Sequence, residues 1–101
     1  MAQATWSLQA IDDLSDLEDY LALSSKRHAT LIVDAILDAV ILLEKFPQLG
    51  RVVPEMNSPN LRELIIKKYR VVYYLNFHDQ VEIVTIRHSS KPLGETPLPF
   101  G

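Results

Sequence analysis

Several side chains in the second half of this sequence could carry out acid–base chemistry beside a phosphate. Arg70 and Arg87 present guanidinium forks that match a phosphate bidentately, and Arg62, Lys67 and Lys68 add positive charge. Glu55 or Glu63 could take a proton as general base. His88, whose imidazole titrates nearest neutral pH, could return one as general acid. The stretch VTIRHSSKP at 84–92 runs from an apolar strand straight into Arg87, His88, two serines and Lys91. Such an ending fits an active site, the charged margin of a binding surface, or a strand running out into water.

Spacing limits the first of these. Arg87 and His88 are adjacent, so in a regular strand they point to opposite faces and only one can join Arg70. A bulge could relax this, although nothing in the sequence demands one. Each residue also has a purely structural use. Arg70 could pair with Glu63 or Glu82 across strands, and His88 could close a strand end.

Composition narrows the class. The chain has 101 residues, 48% of them hydrophobic and 23% charged, which suits one globular domain over 1–101 with a single core. It has no cysteine, so disulfides, thiolate metal sites and a thiol nucleophile are excluded. The three histidines, His28, His78 and His88, have no spacing suited to a metal, and no cofactor motif is present. The start, MAQATWSLQA, does not read as a secretory signal, and the apolar run from Leu31 to Leu43 is too short to span a bilayer. A cytoplasmic protein with no membrane partner is expected. The net charge of −3 is unevenly distributed: residues 1–60 carry nine acids against four bases, and residues 61–101 carry six bases against four acids. A basic second half can hold an anionic partner locally.

These residues must be positioned by a small set of elements. Alternation over 4–10, with Trp6, Leu8 and Ala10 on one side, predicts a half-buried strand. A helix is expected from about Asp12, its acids facing the positive end of the dipole, with Ile11, Leu14, Leu17 and Leu21 as its apolar stripe. Ser24 and Ser25 break it, and Ser25 is a good N-cap for a second helix over about 26–45. The second helix has a core stripe of Ala29, Ile32, Val33, Ile36, Val40 and Leu43. Leu31, Leu37, Ile41 and Leu42 fall on its other faces, so it carries more apolar surface than one sheet can cover. That surplus is either the contact between the two helices or a docking site for a partner.

Phe46-Pro47 ends the second helix. In the irregular loop that follows, Gly50 permits a turn with positive φ and Arg51 and Glu55 could form a local ion pair. Three strands are then expected: Leu61 to Lys67 or Lys68, Tyr69 to Phe77, and Val81 to His88. Short turns make them an antiparallel meander, with Tyr69, Val71, Tyr73, Leu75 and Phe77 on one face of the middle strand. Residues 92–101, rich in proline, form an extended C-terminal arm. The order is β-α-α-β-β-β, an α+β two-layer domain with a helical hairpin on a small sheet.

Several pieces, taken in order, resemble a known family: WS at 6–7, Asp13, Leu14, Leu17 and Tyr20 in DLxxLxxY, FPxxGRxVPE at 46–55, LREL at 61–64, YRVVYYL at 69–75, and a last strand ending in Arg87-His88. Together they resemble the RelE/ParE superfamily of toxins from type II toxin–antitoxin systems, over about Thr5 to Leu93. The resemblance implies one of two activities. RelE-like and YoeB-like members are ribosome-dependent endoribonucleases that cut messenger RNA, without a metal. ParE-like members poison DNA gyrase. Both are neutralised by a cognate antitoxin that wraps a helix and an extended segment around the toxin in a hetero-oligomer.

As a nuclease the chain would use Arg70, Arg87, His88, Glu55 and Glu63. Nuclease members commonly carry a tyrosine or a second basic residue after the last strand, where this chain has Ser89, Ser90, Lys91 and Pro92. The apolar hairpin and the GRxVPE loop look more like the ParE-type branch. The expected function is therefore a ParE-like gyrase inhibitor with no catalytic site of its own. The alternatives are the ribosome-dependent nuclease and a non-toxic relative that only binds its antitoxin. Contact with target or antitoxin falls on Leu31, Leu37, Ile41, Arg62, Lys67, Lys68, Arg70, Arg87 and Lys91.

Overall fold

A computed structural model describes residues 3–90. The elements are β1 (Ala4–Trp6), α1 (Leu8–Ala22), α2 (Lys26–Lys45), β2 (Arg51–Val52), β3 (Leu61–Ile66), β4 (Tyr69–Leu75) and β5 (Val81–His88). They form one five-stranded sheet of order β1-β5-β4-β3-β2, with the helical hairpin on one face. The expected meander is present as β3-β4-β5. Two edges were not anticipated: β1 joins β5 in parallel, and the two-residue β2 adds antiparallel to β3.

The first strand is shorter than its alternation suggests, and α1 starts earlier. Ser7 is the N-cap, its hydroxyl accepting from the Ala10 N–H at 3.0 Å, so the chain turns helical at Leu8. Leu8 is consequently 82% exposed while Ala10 is fully buried, which separates two residues that the strand pattern placed together. The first helical turn therefore contains no acid, and Asp12 and Asp13 lie beyond it. Ser25 caps α2 as expected, accepting from the His28 N–H.

On α2 the buried positions are Ala29, Ile32, Ile36, Ala39, Val40 and Leu43, the three- and four-residue spacing of one helical face. Of these, Ile32, Ile36, Val40 and Leu43 share one cluster with Val71, Tyr73, Leu75, Val81, Ile83 and Ile86 from the sheet. Each full burial of such an aliphatic side chain is worth about 1.5–3 kcal/mol, so this layer dominates the stability. A smaller cluster of Val53, Leu61, Val72 and Val84, flanked by Met56 and Tyr74, lies on the opposite face of the sheet. Val53 and Met56 come from the 47–60 segment, which thus straps the second face.

Register between β4 and β5 shifts at Val72/Tyr73: Val72 pairs with Thr85 and Tyr73 with Ile83. Val84 is the extra residue of a β-bulge. The bulge lets Ile83 and Ile86 both reach the helix-side core while Val84 turns to the other cluster.

The exposed edge of β5 beyond β1 is closed by α1. Ser7 donates its hydroxyl to Val84 O at 2.7 Å, and Asp13 Oδ2 accepts from the Ile86 N–H at 3.0 Å and from the Thr85 hydroxyl. An unpaired strand edge invites adventitious pairing, and one serine and one aspartate remove it here.

Candidate functional site

The carboxylates and arginines singled out in the sequence converge under the 47–60 strap, on the sheet face away from the helices. Glu63 on β3 is fully buried, and Arg70 on β4 is 4% exposed. Arg70 Nε donates to Glu63 Oε1 at 2.7 Å, and its two terminal nitrogens donate to the two oxygens of Glu55, each at 2.7 Å. Arg51 Nε donates to Glu63 Oε2 at 2.7 Å. The result is a chain of alternating charges, Arg51–Glu63–Arg70–Glu55, in which one buried carboxylate sits between two guanidiniums. The Glu55 hydrogen bonds raise the Arg70 pKa further above its ordinary value; burial opposes this and Glu63 adds to it. Arg70 is a fixed cation.

This geometry corrects the expected Arg51–Glu55 pair, because each of these residues turns to the sheet instead. The Arg70–Glu63 pair was among the structural alternatives for Arg70 and is present. Gly50 is also explained differently from the sequence reading: its φ is not positive. A Cβ at Gly50 would lie 2.6 Å from Glu63 O and 2.7 Å from the Tyr73 ring, so the residue must be glycine for space. The Tyr73 hydroxyl accepts from the Gly50 N–H at 2.9 Å and donates to Pro47 O at 2.7 Å, while Arg62 Nη1 donates to Gly50 O. Burial pushes the Tyr73 hydroxyl pKa up, partly offset by the Gly50 hydrogen bond and the Arg62 charge.

Arg87 is directly opposite Arg70 in the β4–β5 register, and His88 is opposite Tyr69. The parity argument therefore holds at this end of the sheet, because the bulge lies upstream of both residues. His88 packs edge-on against Tyr69 and its Nδ1 lies 2.8 Å from the Ser90 hydroxyl. Lys67, with positive φ, and Lys68 form the exposed β3–β4 turn. Lys91 and the arm at 92–101 lie outside the described residues. The candidate nuclease groups are thus split: Glu55, Glu63 and Arg70 are joined in ion pairs, and His88 lies on the other face.

A second surface lies on the helices. Leu31 is 59% exposed, Ile41 54% and Leu37 40%, with Leu42 also exposed. The surplus apolar surface of α2 is therefore left open and is not used up between the helices. A groove of about 300 Å³ runs along it, walled by Trp6, Ile11, Leu14, Val33 and Leu37 with Ser15 and Glu18 at its margin.

A family model described as the ParE toxin of the type II toxin–antitoxin system parDE matches residues 4–93. The chain belongs to that family. This ParE-family toxin is also 31% identical over 91 residues to the protein named Toxin RelE2 from Caulobacter vibrioides, covering 90% of this chain and 99% of that protein. Its fold matches that of a chain from a structure described as the chromosomal ParDE system of P. aeruginosa. The TM-score is 0.70 at 22% identity, covering 87% of this chain and 96% of the other. The strand, the helical hairpin and the following strands are thus the architecture of a type II toxin, and membership of the family implies an antitoxin partner. Among the described residues no helix is long and apolar enough to cross a membrane.

Asp13 was visible in the sequence only as part of a motif. Its acceptor role at the β5 edge could have been anticipated only by knowing that α1 flanks that edge.

Proposed function

We propose that this toxin acts as a ParE-like inhibitor of DNA gyrase through protein–protein contact, and that a cognate antitoxin neutralises it. The observation that carries this reading is the state of Glu63 and Arg70. Both oxygens of Glu63 already accept from guanidiniums, and the carboxylate is buried. The Arg70 fork is closed on Glu55. A residue held in this way braces the strap and has no free geometry for taking a proton or gripping a phosphate. The basic margin at Arg62, Lys67, Lys68 and Arg87 is then the natural contact for the target, and the apolar hairpin the contact for the antitoxin.

Purified toxin is expected to inhibit supercoiling by gyrase and to trap cleaved DNA. Uninhibited supercoiling at micromolar toxin rejects the reading. The name of the Caulobacter relative favours a second reading, a ribosome-dependent nuclease. Programmed ribosomes with the toxin should leave messenger RNA intact under the first reading and cut it under the second. Expression without growth arrest would instead indicate a member that only binds its antitoxin.

A further inference from the structure

Phe77 is the most exposed large hydrophobic side chain among the described residues, 90% open to solvent. It stands in the turn between β4 and β5, and that turn is braced. Asn76 Oδ1 accepts from the His78 N–H at 2.8 Å and from the Gln80 N–H at 3.0 Å, the Asn76 amide donates to Gln80 Oε1, and Asp79 takes a positive φ. The Phe77 ring rests against the His78 ring, centroids 4.2 Å apart. A phenyl group held out in water contributes nothing to the core, and a partner finds it on a turn that is already ordered. Beside this knob is a hollow of about 380 Å³. It is walled by Lys45, Phe46, Pro47, Gln48 and Leu49, where α2 runs into the strap, and by Asp79 of the same turn. Phe46 and Leu49 are about half exposed. The hollow shares no residue with the groove on the helical hairpin.

Knob and hollow occupy one patch, which makes the patch complementary to itself. In a two-fold interface the same surface faces its own copy, so that residue i meets residue j and j meets i. A second copy, turned about an axis between Phe77 and the hollow, places each Phe77 in the other's hollow against Phe46 and Leu49. The charges obey the same symmetry. The wall carries one cation, Lys45, and one anion, Asp79, so each Lys45 faces the opposite sign on the other copy. We propose that this end of the toxin is a self-association surface whose occupant is a second copy of the chain, docked through Phe77. An aromatic side chain buries about 150–250 Å², so Phe46 and Phe77 of both copies with the flanking Leu49 come to roughly 1,000 Å² at most, the small end of specific interfaces. The dimer is accordingly weak and reversible, and it leaves the hairpin groove open.

Sedimentation velocity on the full chain from about 5 to 500 μM, the span in which so small an interface assembles, should show the mass rising from 11.5 kDa towards twice that value. Phe77→Ser alters a solvated position and should weaken association about tenfold or more, with thermal unfolding unchanged. Lys45→Glu alone sets like charges against each other at both contacts, and so does Asp79→Lys alone. Each should weaken self-association at low salt. A 1:1 mixture of these two variants restores opposite charges at both contacts and should associate as tightly as the wild type. Pairing of Lys45 with Asp79 within one chain does not predict that recovery. A chain that stays monomeric at the highest concentration overturns the proposal and leaves the patch to a different molecule. Association undiminished in Phe77→Ser, or a mixture that associates no more tightly than its separate variants, overturns it as well.

Discussion

Glu63 on β3 and Arg70 on β4 meet diagonally across the ladder, Arg70 Nε lying 2.7 Å from Glu63 Oε1, and the two side chains are 0% and 5% exposed. A pair so thoroughly removed from water is costly to break from one side, because the remaining charge stays buried. Glu63→Gln should therefore destabilise the toxin by about 3–5 kcal/mol in urea unfolding. Arg51→Ala, whose side chain is largely exposed, should cost about 1 kcal/mol or less. The double substitution Glu63→Leu with Arg70→Met should recover most of the loss, since matched apolar replacements of buried pairs are often neutral.

Tyr73 gives the fold an alkaline limit. Burial raises its hydroxyl above the ordinary value of 10.0, so the folded state favours the neutral form more than the unfolded chain does. The associated stability is complete below about pH 10 and is lost as pH rises through the folded-state value. Tyr73→Phe should cost about 1–3 kcal/mol at neutral pH by removing the bonds to Gly50 and Pro47. The gap to wild type should narrow above pH 10, as followed by thermal unfolding across pH.

Gly50→Ala places a methyl group against Glu63 O and the Tyr73 ring. Overpacking of this kind should cost about 1–3 kcal/mol. Because the contact involves backbone, Tyr73→Phe should not rescue it; a double variant as stable as Tyr73→Phe alone would contradict the steric account.

Asp13→Ala should open the β5 edge without touching the core. The Ile86 amide loses its acceptor, so its hydrogen exchange should accelerate by about tenfold or more while amides at the centre of β4 change only with global stability. Equal acceleration everywhere would mean that Asp13 acts on the fold as a whole.

If the toxin is an inhibitor and not a nuclease, His88→Ala should leave growth arrest and gyrase inhibition intact. Paired Lys67→Ala and Lys68→Ala should weaken gyrase inhibition, more at low salt than at high salt. Loss of toxicity on His88→Ala alone would return weight to acid catalysis.

Much of this architecture is legible in the residues because periodicity reports burial. The α2 stripe apart from Val33, the Ser25 cap, the bounds of β5 and the inward face of Tyr69, Val71, Tyr73 and Leu75 follow from spacing alone, whereas Phe77, expected on that face, lies beyond the end of β4 and is exposed. The start of α1 does not, since WSLQA alternates like a strand and only the Ser7 hydroxyl bond to Ala10 decides against it. The Val84 bulge and the parallel seat of β1 depend on tertiary packing, to which local pattern is blind. At the candidate site, Arg70 with Glu63 was foreseeable from strands that are neighbours in sequence. Arg70 with Glu55 was not, because the path of the irregular 47–60 segment fixes it. The open face of α2 was visible as a surplus, but only its exposure shows that α1 leaves it uncovered.

The parallel pairing of Ala4 with Val81 and of Trp6 with Ile83 ties β1, the first strand, to β5, the last of the described strands. During synthesis at about 5–20 residues per second, the first strand waits several seconds for its partner to be made. A message truncated before β5 yields a product with no seat for β1, no Val84 carbonyl for Ser7 and no fixed position for Trp6, which walls the hairpin groove. Completion of the groove is thereby coupled to synthesis of β5, so a nascent chain that stops short of β5 lacks this surface.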